Sequence, residues 1–312
     1  MEVDIFGILI EQIGLFAIYI IIGVIMVKSG VLDAVSLEAI SRFVLKMALP
    51  VMNFTSIVHN VDRADLLSSF PILLLAVVFY IFMFGAAKGM TCLFRIKAEQ
   101  KGVYQALAMF GNIGFMGIPI ITSIFPEKGM LYISIFLIID QLTLWTVGVK
   151  LLTSSKEERF NPWKLLNPAS VSIVLAVVCV IGMVPVPEIL DSALQKITTG
   201  ATPMAMIYLG GLFACADIRK YITQKELYGI VGIKMCLIPI LLYLLLEQFL
   251  LDKNLGVTVA LIAGMPTMSA VVIMAKGYGA DGDCAMGSIV VTTVCSAVTL
   301  PTVFWVLQYL LV

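Results

Sequence analysis

Histidine occurs once in this 312-residue chain, at His59, and Asp, Glu, Lys and Arg together supply only 13% of it. A single histidine leaves almost no material for a Ser-His-Asp triad or a multi-histidine metal site, and neither an HExxH helix nor a nucleophile elbow is present. Enzymatic chemistry is not expected. Twenty basic residues balance twenty acidic ones, and without a basic stripe nucleic acid is not an expected partner. The six cysteines (Cys92, Cys179, Cys215, Cys236, Cys284 and Cys295) lie in or beside apolar stretches with no CxxC spacing. They read as small buried hydrophobes rather than a disulfide framework or a zinc site. His59 itself, in SIVHNVDRAD, reads as a solvated loop residue.

What fills the chain instead is apolar: 61% of residues are hydrophobic and the mean hydropathy is +1.05. That balance belongs to a polytopic membrane protein. Runs of about 20 apolar residues, enough to cross the hydrocarbon layer, fall at 5–27, 36–58, 69–93, 101–124, 129–152, 168–187, 190–215, 226–250, 256–277 and 283–311. The chain opens on MEVD, acidic and without a cleavage-site pattern, so the first run is expected to stay as a membrane helix. The one appreciable polar insert, SSKEERFNPWKLLNP, begins at Ser154. It divides the chain into two five-helix halves, 1–153 and 168–312, joined by a linker at 154–167.

Lysine and arginine set the orientation. With the N-terminus outside, the inner loops hold Lys28, Arg95, Lys97, Lys101, Lys150, Lys156, Arg159, Lys164, Arg219, Lys220, Lys225 and Lys276, and the outer loops only Arg63, Lys128 and Lys253. Both termini are therefore expected outside and the linker in the cytoplasm. Five is odd, so the second half enters from the opposite side. Homologous halves would then form an inverted repeat, an arrangement common among secondary transporters. Proline placement fits: Pro50 and Pro119 stand in spans two and four, Pro203 and Pro266 in spans seven and nine, at separations of 69 and 63 residues.

Span four carries MFGNIGFMGIPI, with Gly111, Gly114 and Gly117 at i, i+3 and i+6 before Pro119. Glycine freedom beside a residue with no backbone donor favours unwinding, whereas the same spacing alone is also a small-residue stripe for close helix packing. The matching break at Gly264–Pro266, in AGMPTMSA of the other half, favours a discontinuous pair. Two such helices crossing at their breaks present half-helix N-termini, whose free N–H groups and partial positive charge suit a carboxylate. Asn112 either adds its amide to that site or caps a half-helix; Thr267 and Ser269 offer hydroxyls.

The ordered motifs NIGFMGIPI (Asn112 to Ile120), AGMPTMSAVVIMAKGYGAD (Ala263 to Asp281) and TLPTVFW (Thr299 to Trp305) resemble those of the auxin efflux carrier family. That family joins plant PIN auxin transporters to bacterial permeases for malate, malonate and related acids. The resemblance covers nearly the whole chain, and the short linker is similar to the bacterial branch. It implies an all-α fold of ten transmembrane helices in two inverted repeats, with broken helices four and nine crossing at Pro119 and Pro266. It further implies a scaffold of helices one, two, six and seven that dimerises, and a transport domain of helices three to five and eight to ten. The expected activity is secondary transport of small organic carboxylates at the cell membrane by an elevator movement. A sodium-coupled symporter similar to the bile acid carriers, or an anion channel, is the alternative. The candidate substrate site comprises Asn112, Gly114, Phe115, Met116, Gly117, Pro119, Met265, Pro266, Thr267 and Ser269.

Ionisable residues inside apolar runs complete the set, because charge there is expensive and usually faces a cavity or a partner. Asp140, in FLIIDQLTLW, is the first candidate for a coupling proton or sodium ion, against a purely structural hydrogen-bonded carboxylate. Glu11 is the second, against contact with a lipid headgroup. Lys46, four residues before Pro50, either faces substrate or snorkels to the interface. Arg42 and Lys234 are expected to snorkel or pair.

Overall fold

The computed structural model describes residues 5–153, 168–215, 223–249 and 252–310. Within them the chain is helical throughout, with one isolated β-bridge. The expected linker at 154–167 lies outside the described residues. Among the described residues six helices are long and apolar enough to cross a membrane: Gly7–Lys28, Phe70–Leu93, Gly129–Leu152, Glu188–Cys215, Lys225–Glu247 and Gly282–Tyr309. Ile113–Ile124, Pro168–Gly182 and Lys253–Gly264 are shorter apolar helices.

In chain order the first half comprises α1 (Ile5–Lys28), α2 (Ala34–Phe43), α3 (Leu49–Asn60), α4 (Arg63–Ser68), α5 (Phe70–Leu93), α6 (Ala98–Met109), α7 (Ile118–Ile124), α8 (Gly129–Thr143) and α9 (Val149–Leu152). The second comprises α10 (Pro168–Gly182), α11 (Glu188–Cys215), α12 (Lys225–Gly232), α13 (Ile238–Glu247), α14 (Lys253–Gly264), α15 (Ala270–Gly277) and α16 (Gly282–Leu310). The expected span 36–58 is helical as α2 and α3, yet it is not among the six long apolar helices. Glu38, Arg42 and Lys46 lower its hydropathy.

Among the described residues four π turns widen these helices, at Val44–Ala48, Ile113–Gly117, Leu144–Gly148 and Ile233–Leu237. Three of them end two residues before a proline: Pro50, Pro119 and Pro239. Proline has no N–H and its ring crowds the carbonyl four residues back, so the preceding turn opens. Pro203 and Pro301 lie inside α11 and α16, which continue past them as α-helix. The matched prolines of spans two and seven thus have different local outcomes, and the structural correspondence is sharper between spans four and nine.

Glycine sets the closest packing. A Cβ at Gly23 of α1 would lie 2.0 Å from the Ile207 carbonyl oxygen of α11, and one at Gly210 would lie 2.0 Å from the Ile20 carbonyl oxygen. The two backbones therefore meet where only glycine fits. Beside this pair, α3 packs on α10 through Ile57 and Val61 against Ile173, Ala176 and Val180. The main core joins α5 to α8, where the Phe79 and Phe136 rings meet edge to face at 5.6 Å. Outward faces remain apolar: Ile18, Ile21 and Ile25 of α1, Ile81 of α5, and Val174 and Val178 of α10 are more than half exposed. Such faces are stable against lipid and not against water.

Outside the spans, Asp252 ties two helices together. It caps α14 by accepting from the Asn254 and Leu255 N–H groups, accepts from the Tyr132 hydroxyl of α8, and lies 3.6 Å from Lys128. Burial works to raise its carboxyl, but the Tyr132 hydrogen bond, the capping bonds and the Lys128 charge outweigh it and hold it below its ordinary value. Its stabilisation is therefore complete at neutral pH and is lost as pH falls through the depressed folded value.

The glycine contact carries a direct test. Gly210→Ala is expected to force α1 from α11 at a cost of roughly 1–3 kcal/mol, read as a lower unfolding midpoint in detergent. Gly14→Ala, on the same α1 but with nothing within 4 Å of the added carbon, is the control and should leave the midpoint unchanged or raise it.

Candidate functional site

Both helix breaks are present, but on span four the break and the crossing fall at 110–112 and not at Pro119, which lies inside α7. Helix α6 stops at Met109 and the chain resumes helical form at Ile113; α14 stops at Gly264 and α15 starts at Ala270. The intervening strands of backbone cross and pair. The Asn112 N–H donates to the Pro266 carbonyl at 2.7 Å and the Met268 N–H to the Phe110 carbonyl at 3.2 Å, forming an antiparallel bridge between Gly111 and Thr267. A Cβ at Gly111 would stand 2.9 Å from the Met265 Cβ, so glycine is what lets the crossing close. Each interrupted helix supplies the partners that the other has lost, as a low-dielectric environment requires.

The freed carbonyl of Leu107 shows the same accounting. In an unbroken helix it would accept from the N–H of Gly111. Here it accepts from Lys234 Nζ at 2.8 Å and from the Thr267 hydroxyl at 3.0 Å. The Thr267 N–H in turn donates to Thr292 Oγ1 of α16 at 3.3 Å. On the other side of the break, Phe110 stacks on Tyr80 of α5 with centroids 6.4 Å apart, and the Tyr80 hydroxyl donates to Asp140 Oδ1 at 2.6 Å. Gln141 Nε2 donates to the second Asp140 oxygen at 3.1 Å. Asp140 is fully buried and Lys234 is 1% exposed, and the two make no direct ion pair among the described residues.

A family model described as membrane transport protein matches residues 8–163 and 160–305, two stretches that meet inside the polar insert and together take in almost the whole chain. The chain belongs to this family, the auxin efflux carriers. An uncharacterized transporter of Methanothermobacter thermautotrophicus is 24% identical over 299 residues, 91% of this chain and 93% of its own length. A protein of Rhizobium meliloti named "Putative malonate transporter" is 22% identical over 284 residues, 86% of each chain. An uncharacterized transporter of Methanocaldococcus jannaschii is 21% identical over 301 residues, 93% of this chain and 96% of its own. This auxin efflux carrier family member is thus a multi-pass membrane transporter and not an enzyme.

The crossover of the auxin efflux carrier gathers most of the residues singled out in its sequence. Asn112, Pro266 and Thr267 stand at the bridge itself, with Met265 and Ser269 flanking it on one chain and Gly114, Phe115, Met116, Gly117 and Pro119 continuing along the other. Asn112 occupies the N-cap position before Ile113, yet its side chain makes no capping hydrogen bond. Its carboxamide oxygen is enclosed and has no hydrogen-bond partner among the described residues. Ser269, the N-cap of α15, likewise makes no side-chain cap. Thr267 departs from expectation, because its hydroxyl is already used on Leu107. Phe115 and Met116 are 2% exposed and belong to the packed core.

Other residues fall elsewhere. Lys46 sits on a π turn and Glu11 on α1, both exposed, so neither joins the enclosed network around Asn112. Arg42 pairs with Glu38 at 2.8 Å on the surface, as expected of a pairing residue. Lys234 does not snorkel: it turns inward to a carbonyl. His59 is not a loop residue; it ends α3, where Nδ1 lies 2.9 Å from the Thr55 carbonyl and Nε2 lies 2.8 Å from Asp191 of α11. A cavity of about 580 Å³ opens at that end of the molecule, apart from the crossover. The cysteines form no disulfide among the described residues, but Cys92 and Cys215 are exposed and only Cys284 is fully buried.

Asn53 is a candidate that sequence reasoning missed. It is fully buried on α3 and neither atom of its carboxamide has a partner among the described residues. Leu49 and Met52, on the same helical face, lie 3.2 and 3.3 Å from where a Cβ at Gly114 would stand, so that face of α3 is turned to the break. An asparagine three residues after a mid-span proline, in PVMNF, was the available signal.

The buried carboxylate gives a stability test. Tyr80→Phe removes one donor from Asp140 and should cost about 1.5–3 kcal/mol, measured from denaturation of the purified protein. A change below a few tenths would mean the hydroxyl does not support the carboxylate.

Proposed function

We propose that this protein is a secondary carrier of short organic carboxylates, and of dicarboxylates in particular. The observation that carries the reading is the paired helix break with the unpartnered Asn112 carboxamide oxygen at its centre. A half-turn of the amide exchanges its oxygen and nitrogen, so the unpartnered end can present N–H donors to an anion. Half-helices starting at Ile113 and Ala270, neither capped by a side chain, leave N–H groups and dipole charge for the same anion. Asn53, on a separate helix, supplies a second set of donors suited to a second carboxylate. The relative named for malonate supports that class.

Ten membrane-crossing segments in two inverted halves are the architecture that best accounts for the paired breaks, with both termini outside and the linker in the cytoplasm of a cell-membrane protein. In this reading α1 to α3, α10 and α11 form the scaffold, through which two copies associate. The remaining helices carry the crossover through the bilayer in an elevator movement. Near-complete burial of Asn112, Thr267 and Met265 supports an occluded state, from which a moving domain must open the site to each side in turn.

Uptake of labelled malonate, malate and indole-3-acetate into proteoliposomes tests the reading. Saturable flux, faster when the same acid is preloaded inside, is expected for at least one of them, and Asn112→Ala should lower it about tenfold or more by losing a charge-assisted hydrogen bond. Absence of saturable flux for every monocarboxylate and dicarboxylate tried would sink the proposal; flux without stimulation from the opposite side would identify a pore.

A further inference from the structure

The end of α6 meets a buried lysine from the other half of the chain. The last carbonyls of a helix carry partial negative charge and lack intrahelical partners, and in transporters built on broken helices such ends coordinate the coupling cation. Here the Leu107 carbonyl accepts from the Thr267 hydroxyl at 3.0 Å, and Asp140 is the fully buried carboxylate of α8. Oxygen groups of this kind suit a small monovalent cation. The position is taken by Lys234 Nζ, 2.8 Å from the Leu107 carbonyl and delivered across the two halves of the chain.

The delivery is built into the local sequence. Lys234 stands on the π turn Ile233–Leu237 that precedes Pro239, and its side chain is 1% exposed, so its stem runs through protein and not toward an interface. A buried ammonium is costly without partners. This one has a carbonyl that the helix break released and a carboxylate that Tyr80 and Gln141 hold in place.

We propose that the Lys234 ammonium is the resident cation of the crossover, standing where a coupling sodium ion would otherwise bind, and that it makes this carrier independent of sodium. Asp140 is then its fixed countercharge and not a sodium ligand. The transport arm of the idea rests on the carrier reading above; the binding arm does not.

The test uses the purified full-length protein without substrate, unfolded by heat in sodium chloride or in choline chloride of equal ionic strength. Wild type should unfold at the same temperature in both. Lys234→Ala should unfold lower in choline by roughly 5 °C or more, the scale expected when one partner of a buried charge pair is removed, and sodium should restore part of the loss saturably. A purely structural lysine would lose equally in both salts, and that result overturns the proposal. The double variant Lys234→Met/Asp140→Asn should be more stable than Lys234→Ala in choline and show no sodium response; failure to recover would mean Asp140 is not the countercharge. Should Lys234→Ala not fold, Lys234→Gln, which keeps a donor for the Leu107 carbonyl and removes the charge, is read in the same way. Sodium raising the wild-type midpoint, or wild-type flux that stops in sodium-free buffer, also overturns it. Absence of flux in every buffer counts against the carrier reading alone.

Discussion

An unpartnered backbone N–H or C=O in hydrocarbon costs several kcal/mol, and that single constraint explains why the two broken segments are found together. Neither the interruption at 110–112 nor the one at 265–269 can exist alone in the membrane. Each is satisfied by the other through the Asn112–Pro266 and Phe110–Met268 bonds, and the carbonyl left over at Leu107 is satisfied by Lys234 and Thr267. The crossover is thus a joint product of segments more than 150 residues apart.

From this junction the connections spread outward. Thr292 of α16 holds Thr267, while Tyr80 of α5 stacks on Phe110 and holds Asp140 of α8. Asp252 ties the start of α14 to α8. The polar groups near the breaks therefore fall into two classes. Those bonded into the network hold the backbone at the crossing, as Thr267 and Lys234 do, or hold Asp140, as Tyr80 and Gln141 do. Those left over, Asn112 and Asn53, hold unused hydrogen-bonding capacity inside a closed interior, a cost that a bound ligand would remove.

A different logic governs α1 and α11. They pack through Gly23 and Gly210 at a distance that admits no side-chain carbon, with no polar network between the closest points. Glycine contacts join these two helices, whereas the crossover combines a glycine contact at Gly111 with shared backbone hydrogen bonds.

Much of this was legible in sequence order. Length and spacing of apolar runs located the helices, and NIGFMGIPI with AGMPTMSA located the two breaks, because glycine and proline act on their own local backbone. The roles of individual polar residues were not. His59 is exposed as expected but stands on α3 beside Asp191 and not in a loop; Lys234 reads as snorkelling or paired and lies in the core on a carbonyl; Thr267 reads as available and is already bonded; Asn53 carries no periodic signal. Which partner a side chain meets depends on segments distant in the chain, and periodicity carries no information about them. The sequence by itself determined where helices form and where they must fail, through propensity and missing donors. Only the tertiary structure decided which freed backbone groups meet and which lysine answers a vacated carbonyl, because burial and pairing are properties of the packed whole.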